Sequence, residues 1–330
     1  MTTTSESSIR ENLCAVFSKT NGESAAGTAP NWDSCLIIEL PKPWVSDAYE
    51  SKGFQSGVLD ILDRIEELGR FPKLQCMAPD DQYSLDGHTR IIYYSSPDGP
   101  FTRYDKDDYL VPDDKVVLVV EALVEDRDKL KDFESYRQDT SHIRDVFVCS
   151  HGSNDTCCAT FGYPIYKELR NRYARELDGR LRVWEISHLG GHRFAPNILD
   201  MPEARNWIRF DADDLDSFVY RSGTPSDLRE HYRGWVGLGS VYEQLVECEL
   251  FMKEGWDWAD RAIVSQVLSS DDETGHAEVR IELGGLDGGT ELIYEATVEQ
   301  TGTAPRIGCV SGTPDDSEPQ FSVTRLVQVR

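Results

Sequence analysis

Cysteines and histidines in this chain of 330 residues are concentrated in two short segments, which limit its fold more than any other feature. The segment CSHGSNDTCC runs from Cys149 to Cys158 and follows a short apolar strand pattern at 146–148. The segment HLGGH runs from His188 to His192 and follows the strand pattern LRVWEIS. Its two consecutive glycines disfavour a helix and predict a tight loop. We therefore expect two neighbouring loops at one end of a small sheet, each supplying two metal-binding side chains.

Two thiols and two imidazoles suit more than one kind of metal centre. A structural zinc ion uses this donor set, and so does a [2Fe–2S] cluster with two thiolates on one iron and two imidazoles on the other. The types of ligand alone do not decide between them. Buried histidines that pack near unrelated thiols are a further interpretation, because histidine is often a core residue.

The charge balance excludes several classes of partner. The chain has 34 Lys and Arg residues against 59 Asp and Glu residues, a net charge of −25. Such a chain repels nucleic acid and anionic membrane surfaces. It has no apolar run near the roughly 20 residues of a membrane-spanning helix, and its opening lacks the pattern of a secretory signal. We expect a soluble, cytoplasmic protein with reduced thiols.

The other five cysteines stand apart from one another among apolar neighbours. Small buried side chains of this kind usually serve packing alone. We expect this of Cys14, Cys35, Cys76, Cys248 and Cys309.

Apolar spacing predicts the element order β, α, β, β, β, α over residues 142–223, the module that holds both segments. Residues 34–110 repeat this order more weakly, with strands at SCLIIEL, KLQCM, RIIYY and FTRY and one helix after the first. A helical pattern at 240–254 then precedes alternating strands typical of an antiparallel sheet. We expect a mixed α/β (α+β) protein divided into domains at 1–125, 142–223 and 224–330, the first without metal ligands.

The run CSHGSNDTCCA, followed by a helix and WEISHLGGHRFAPNIL, resembles the sucrase/ferredoxin-like family. GTAP and ELPKPW, near the start of the chain, resemble that family's N-terminal portion. HLGGHRFAP is also similar to the C-L-G-x-C-x-x-A-P loop of thioredoxin-like [2Fe–2S] ferredoxins, with histidines in place of two cysteines. The resemblance implies a thioredoxin-like ferredoxin domain at 142–223, preceded by a degenerate thioredoxin-like domain and followed by a helix and an antiparallel sheet.

The resemblance also implies a [2Fe–2S] cluster with Cys149 and Cys158 as thiolate ligands and His188 and His192 as imidazole ligands. Cys158 is preferred to Cys157 because relatives can carry arginine just before the second cysteine. One departure is visible, since Asn154 stands where the family usually has arginine. Four residues are expected close to the cluster without binding it: His151, Asp155, Cys157 and Arg193.

The expected function is electron transfer through one [2Fe–2S] cluster. Neutral imidazoles in place of thiolates raise a cluster's reduction potential, and their outer nitrogens allow proton-coupled transfer. The chain has no G-x-G-x-x-G fingerprint, so redox partner proteins must supply or accept the electrons. The alternatives are a zinc-binding interaction protein and, ranked last, a thiol redox enzyme using Cys157 and Cys158. No pair of carboxylates stands out for glycoside hydrolysis, so we do not expect a sucrase.

Overall fold

The computed structural model describes residues 13–69, 71–284, 290–307 and 314–330. The strands are β1 (Ser34–Glu39), β2 (Lys73–Met77), β3 (His88–Ser95), β4 (Asp105–Pro112), β5 (Arg144–Cys149), β6 (Leu181–Ile186), β7 (Asn197–Met201), β8 (Arg205–Ile208), β9 (Tyr232–Trp235), β10 (Ile263–Asp271), β11 (His276–Gly284), β12 (Thr290–Ile307) and β13 (Pro314–Gln328).

Most of the helices connect one strand of the larger sheet to the next along the chain. They are α1 (Cys14–Thr20), α2 (Ser56–Glu66), α3 (Val116–Val124), α4 (Cys158–Gly162, Tyr163–Glu168, Leu169–Tyr173 and Ala174–Glu176 in succession), α5 (Leu215–Tyr220) and α6 (Val241–Glu254). Short 3₁₀ turns include Arg127–Tyr136, His192–Phe194 and Pro225–His231. No helix in the described ranges has both the length and the apolar character needed to cross a bilayer.

Nine strands form one mixed sheet in the order β4-β3-β1-β2-β6-β5-β7-β8-β9. Each half contains a parallel central pair, β1 with β2 and β5 with β6, extended by antiparallel strands. The predicted order β, α, β, β, β, α is present as β5, α4, β6, β7, β8 and α5, and the first half repeats it. The mixed α+β fold is thus confirmed. The division into domains at 125, 142 and 223 stays a prediction.

One predicted strand was wrong. FTRY, at 101–104, does not form a strand; its β-pairing among the described residues is an isolated bridge between Phe101 and Ile263. The third strand of this half after β1 is instead the charged run that follows, β4. Charged residues normally argue against a buried strand. Here the carboxylates of Asp107 and Asp108 are buried because they pair with arginines, for example Asp108 with Arg90 at 2.6 Å.

The two halves of the nine-stranded sheet meet edge to edge between β2 and β6, where Met77 pairs with Ile186. The helix expected at 240–254 is confirmed as α6, which begins with a capping box between Ser240 and Glu243. It packs against both β9 and the antiparallel sheet β10-β11-β12-β13. This second sheet is the antiparallel region that the alternating pattern predicts.

A buried carboxylate joins strands from both halves of the sheet. Asp145, on β5, is fully buried and accepts hydrogen bonds from the hydroxyl of Tyr94 at 2.8 Å and the indole of Trp184 at 3.0 Å. It also forms ion pairs with Arg182, at 2.7 Å, and with Lys106. Although burial raises the pKa of Asp145, these two cations outweigh it and lower the pKa well below its usual value.

Residues 13–33 form an N-terminal arm that packs on the last third of the chain. The amide of Gly27 donates to the carbonyl of Arg233 at 2.9 Å, and that of Ala29 donates to the side chain of Gln244 at 3.0 Å. Gly27 has φ +83°, and a Cβ there would lie 2.9 Å from Val241. Glycine is therefore needed where the arm crosses α6.

Candidate metal centre

The two segments rich in cysteine and histidine leave the sheet at the same edge. β5 and β6 are parallel neighbours, and Cys149 at the end of β5 lies opposite Ile186 at the end of β6. Cys158 begins α4, and His188 follows β6 by two residues. Parallel pairing therefore brings the loops together, as the strand pattern predicts.

Three of the four predicted ligands converge. The sulfur atoms of Cys149 and Cys158 and a ring nitrogen of His188 all lie within 4.8 Å of one another. The Cys158 sulfur is 3.5 Å from Nδ1 of His188. Both cysteines are buried, with 1% of each exposed, while His188 is half-buried. We call these three residues the inner group.

The two thiols of the inner group are joined by a hydrogen bond that shifts their pKa values in opposite directions. A hydrogen bond from Cys158, together with His188, holds the pKa of Cys149 well below its ordinary value despite burial. The same hydrogen bond raises the pKa of Cys158. The Cys149 thiolate thus accepts a hydrogen bond from the Cys158 thiol, and a bound metal would replace the proton of that bond.

The fourth predicted ligand, His192, lies beside the inner group. Its ring centroid is 6.0 Å from that of His188. Its Nδ1 is 3.0 Å from a carboxylate oxygen of Asp155 and 3.1 Å from the sulfur of Cys14. Because a carboxylate only accepts hydrogen bonds, the contact with Asp155 favours the tautomer with a proton on Nδ1. In that tautomer Nε2 is the ring nitrogen that would bind a metal.

Cys14 is a residue that the sequence analysis missed. Its sulfur lies 3.4 Å from that of Cys157, and these two sulfurs and Asp155 form a second group of possible metal ligands within 4.8 Å. The expectation that Cys14 is buried was correct, but its place beside His192 was not foreseen. No motif could reveal it, because it comes from α1, 143 positions before Cys157.

Three other lone cysteines match their predicted role. Cys35, Cys76 and Cys248 lie in apolar clusters of the core. Burial raises the pKa of Cys35 and of Cys76 to about 12, so both stay protonated near neutral pH. Cys309 lies outside the described residues.

Of the residues expected near the cluster, His151 donates a backbone hydrogen bond to Cys149, while the side chains of His151 and Arg193 bond to other partners. The ring of His151 donates from Nε2 to the carbonyl of Val45 at 2.7 Å, and its buried Nδ1 has no partner among the described residues. Burial lowers the pKa of His151, which favours the neutral ring. Arg193 pairs with the buried carboxylate of Glu23 at 2.7 Å. Asp155, as expected, is in direct contact with His192.

Gly162 positions the first ligand. It ends the π-helical turn Cys158–Gly162, and a Cβ at this position would collide with the carbonyl oxygen of Cys149. The helix that carries Cys158 therefore packs directly on the backbone of the strand that carries Cys149. Glycine alone permits this approach.

We expect Gly162→Ala to destabilise the protein by about 1–3 kcal/mol, because strand and helix must move apart. Metal content of the purified protein should fall as well, since the two thiols would separate. Urea unfolding and metal analysis test this, with Gly179→Ala as the control because no atom of the described residues lies within 4 Å of the Cβ position of Gly179. Because Gly179 has φ +78°, Gly179→Ala is itself strained by its backbone conformation. The loss of stability in that variant is the reference for the loss in Gly162→Ala. Equal losses of metal in both variants would contradict the close approach at Gly162.

A model of one protein family, described as sucrase/ferredoxin-like, matches residues 25–234. The match covers more than half of the chain, including both halves of the nine-stranded sheet and the loops of the inner group. No curated protein and no solved structure matched the chain.

Proposed function

The chain belongs to the sucrase/ferredoxin-like family, and we propose that it is an electron-transfer protein with one [2Fe–2S] cluster. Cys149 and Cys158 would bind one iron, and His188 and His192 the other. The observation that carries the proposal is the inner group. It consists of two buried, hydrogen-bonded thiols and an imidazole at one sheet edge, and a second imidazole lies beside it. When bound, the cluster supplies one-electron chemistry at a potential set by its ligands.

The donor set fits such a group. The lowered pKa of Cys149 favours its thiolate, and the ring of His192 is held by Asp155. Three donors within 4.8 Å would also suit a zinc ion. A colourless protein with one zinc ion after iron-replete, anaerobic expression would favour a structural zinc site over electron transfer.

The burial of the ligands suggests where electrons enter and leave. The thiols are inaccessible, whereas the side chain of His192 is 33% exposed. His188 lines an open cavity of about 370 Å³ together with His151, Asn154 and Ser187. We propose that redox partner proteins exchange electrons across the imidazole side, where the distance through protein is shortest.

Thiol redox catalysis by Cys157 and Cys158 gains no support. The two residues are adjacent in sequence, but Cys158 is hydrogen-bonded to Cys149, and the sulfur of Cys157 lies 3.4 Å from that of Cys14. Their sulfurs therefore face different partners rather than each other, and adjacent cysteines rarely form an unstrained disulfide.

The proposal is tested by iron and sulfide analysis with electron paramagnetic resonance of the dithionite-reduced protein. We expect two irons and two sulfides per chain and a signal that appears only on reduction. Absence of iron in protein expressed with ample iron and sulfur would reject the electron-transfer function.

Changing both histidines to cysteine, as His188→Cys with His192→Cys, should preserve the cluster and lower its potential. The added thiolates carry negative charge that disfavours an extra electron. Voltammetry and visible spectra compare this variant with the native protein. An unchanged spectrum and potential would show that the histidines do not bind iron.

A further inference from the structure

The guanidinium of Arg233 lies against the peptide that joins the two proposed histidine ligands. It donates to the carbonyl of Gly190 at 3.1 Å and to the side chain of Thr28 at 3.1 Å. A Cβ on Gly191 would lie only 2.9 Å from the central carbon of the guanidinium. The HLGGH loop therefore rests directly on a cation.

This cation has no counter-ion in the described ranges. Its hydrogen-bond acceptors, including Asn197, are neutral, and no described carboxylate oxygen lies within 4.0 Å of its nitrogens. Burial, followed by the neighbouring Arg193, lowers the pKa of Arg233 to about 10. The side chain remains charged at neutral pH.

Two other buried arginines of the protein have carboxylate partners. Arg182 pairs with Asp145 at 2.7 Å, and Arg205 pairs with Glu247 at 2.6 Å. Arg209, across the ring of Phe194, has no carboxylate within 4.0 Å among the described residues, and burial lowers its pKa although Glu23 opposes that shift. Burying a charge without a partner is costly, so proteins keep such a charge where an anion offsets the cost.

We infer that Arg233 is the counter-charge for the reduced metal centre. The inference rests on the proposed function. A [2Fe–2S] cluster with two thiolates and two neutral imidazoles is uncharged when both irons are ferric, and it becomes an anion when one electron enters. A fixed cation beneath the HLGGH loop stabilises that anion more than the uncharged form. Arg233 thereby raises the reduction potential.

A purely structural role for Arg233 would give different results. Its hydrogen bonds to Gly190 and Thr28 could simply hold the loop. The two roles separate when the charge is changed while the guanidinium stays in place. Thr28→Asp does this, because a carboxylate at the position of the Thr28 hydroxyl would neutralise Arg233 without removing it. Thr28→Asn is the matched uncharged reference.

The experiment measures the potential of the iron-loaded full chain in the native protein and in five variants, of which Thr28→Asn is the uncharged reference. We expect Thr28→Asp and Arg233→Gln each to lower the reduced-to-oxidised ratio at a fixed ambient potential about tenfold, equal to about 59 mV for one electron. Arg233→Lys should keep most of the native potential. Arg229→Gln, which removes an exposed arginine paired with Glu249, controls for net charge and should leave the potential unchanged.

Potentials of Thr28→Asp and Thr28→Asn that agree with each other would overturn the inference, even if Arg233→Gln fails to hold iron. A native protein without iron or sulfide would instead reject the function itself. The failure of the function is therefore distinguishable from the failure of the counter-charge, which is judged only on proteins shown to carry the cluster.

Discussion

Cys158→Ser will abolish metal binding, whereas Cys157→Ser, one position away, will leave the metal content intact. The sulfur of Cys158 is hydrogen-bonded to Cys149 and lies 3.5 Å from a nitrogen of His188, so it faces the other two members of the inner group. The sulfur of Cys157 instead lies 3.4 Å from that of Cys14. A serine oxygen is a poor substitute for a thiolate on iron or zinc.

Metal and sulfide content, visible spectra and electron paramagnetic resonance of the two variants decide this prediction. Cys248→Ser is the control for replacing a buried thiol, because Cys248 lies in the apolar core that contains α6. If Cys157→Ser loses the metal and Cys158→Ser retains it, the ligand moves by one residue. Retention in both variants would show that neither residue is a ligand.

Asp145→Asn will destabilise the protein by about 3–5 kcal/mol, because it leaves buried cations without their counter-charge. The change removes the negative charge that Lys106 and Arg182 share. Urea unfolding measures the loss. Asp211→Asn is the control, since its ion pair with Lys19 is 3.5 Å long and exposed, so less than about 1 kcal/mol is expected.

The stabilisation by Asp145 also has a defined pH dependence. Its pKa is lower in the folded protein than in the unfolded chain, so the stabilisation is complete above the unfolded value of about 3.9. It is lost as the pH falls through that value toward the folded pKa. The difference in stability between native protein and Asp145→Asn should therefore shrink below about pH 4. A difference that stays constant from pH 7 to pH 3 would show that the charge is not responsible.

The sequence predicts the features that depend on local pattern. Alternating and continuous apolar runs identify β5 and β6, and parallel pairing then brings the loops after them to one edge. Gly190 and Gly191 predict the loop, and both have positive φ. Contacts between distant parts of the chain have no local pattern. Cys14 near Cys157 is one such case, and Arg233 under the HLGGH loop is another.

Buried charge explains why the sequence analysis misplaced one strand. The sequence analysis placed a strand at FTRY, yet the strand is the following run DKDDYLVP, where arginines from separate elements neutralise the carboxylates. Arg182, which pairs with Asp108, lies 74 positions further along the chain. An acidic strand can be recognised only when its partners are known, and the sequence of the strand does not contain them.

The N-terminal arm has a consequence for the order in which the protein is assembled. During synthesis, residues 13–33 are made long before their partners, since Gly27 and Ala29 bond to Arg233 and Gln244. The arm can dock only after about 200 further residues have been synthesised, so its docking is a late, long-range folding event. Because Cys14 in the same arm contacts His192, the surroundings of the proposed metal ligands are completed only when the arm docks.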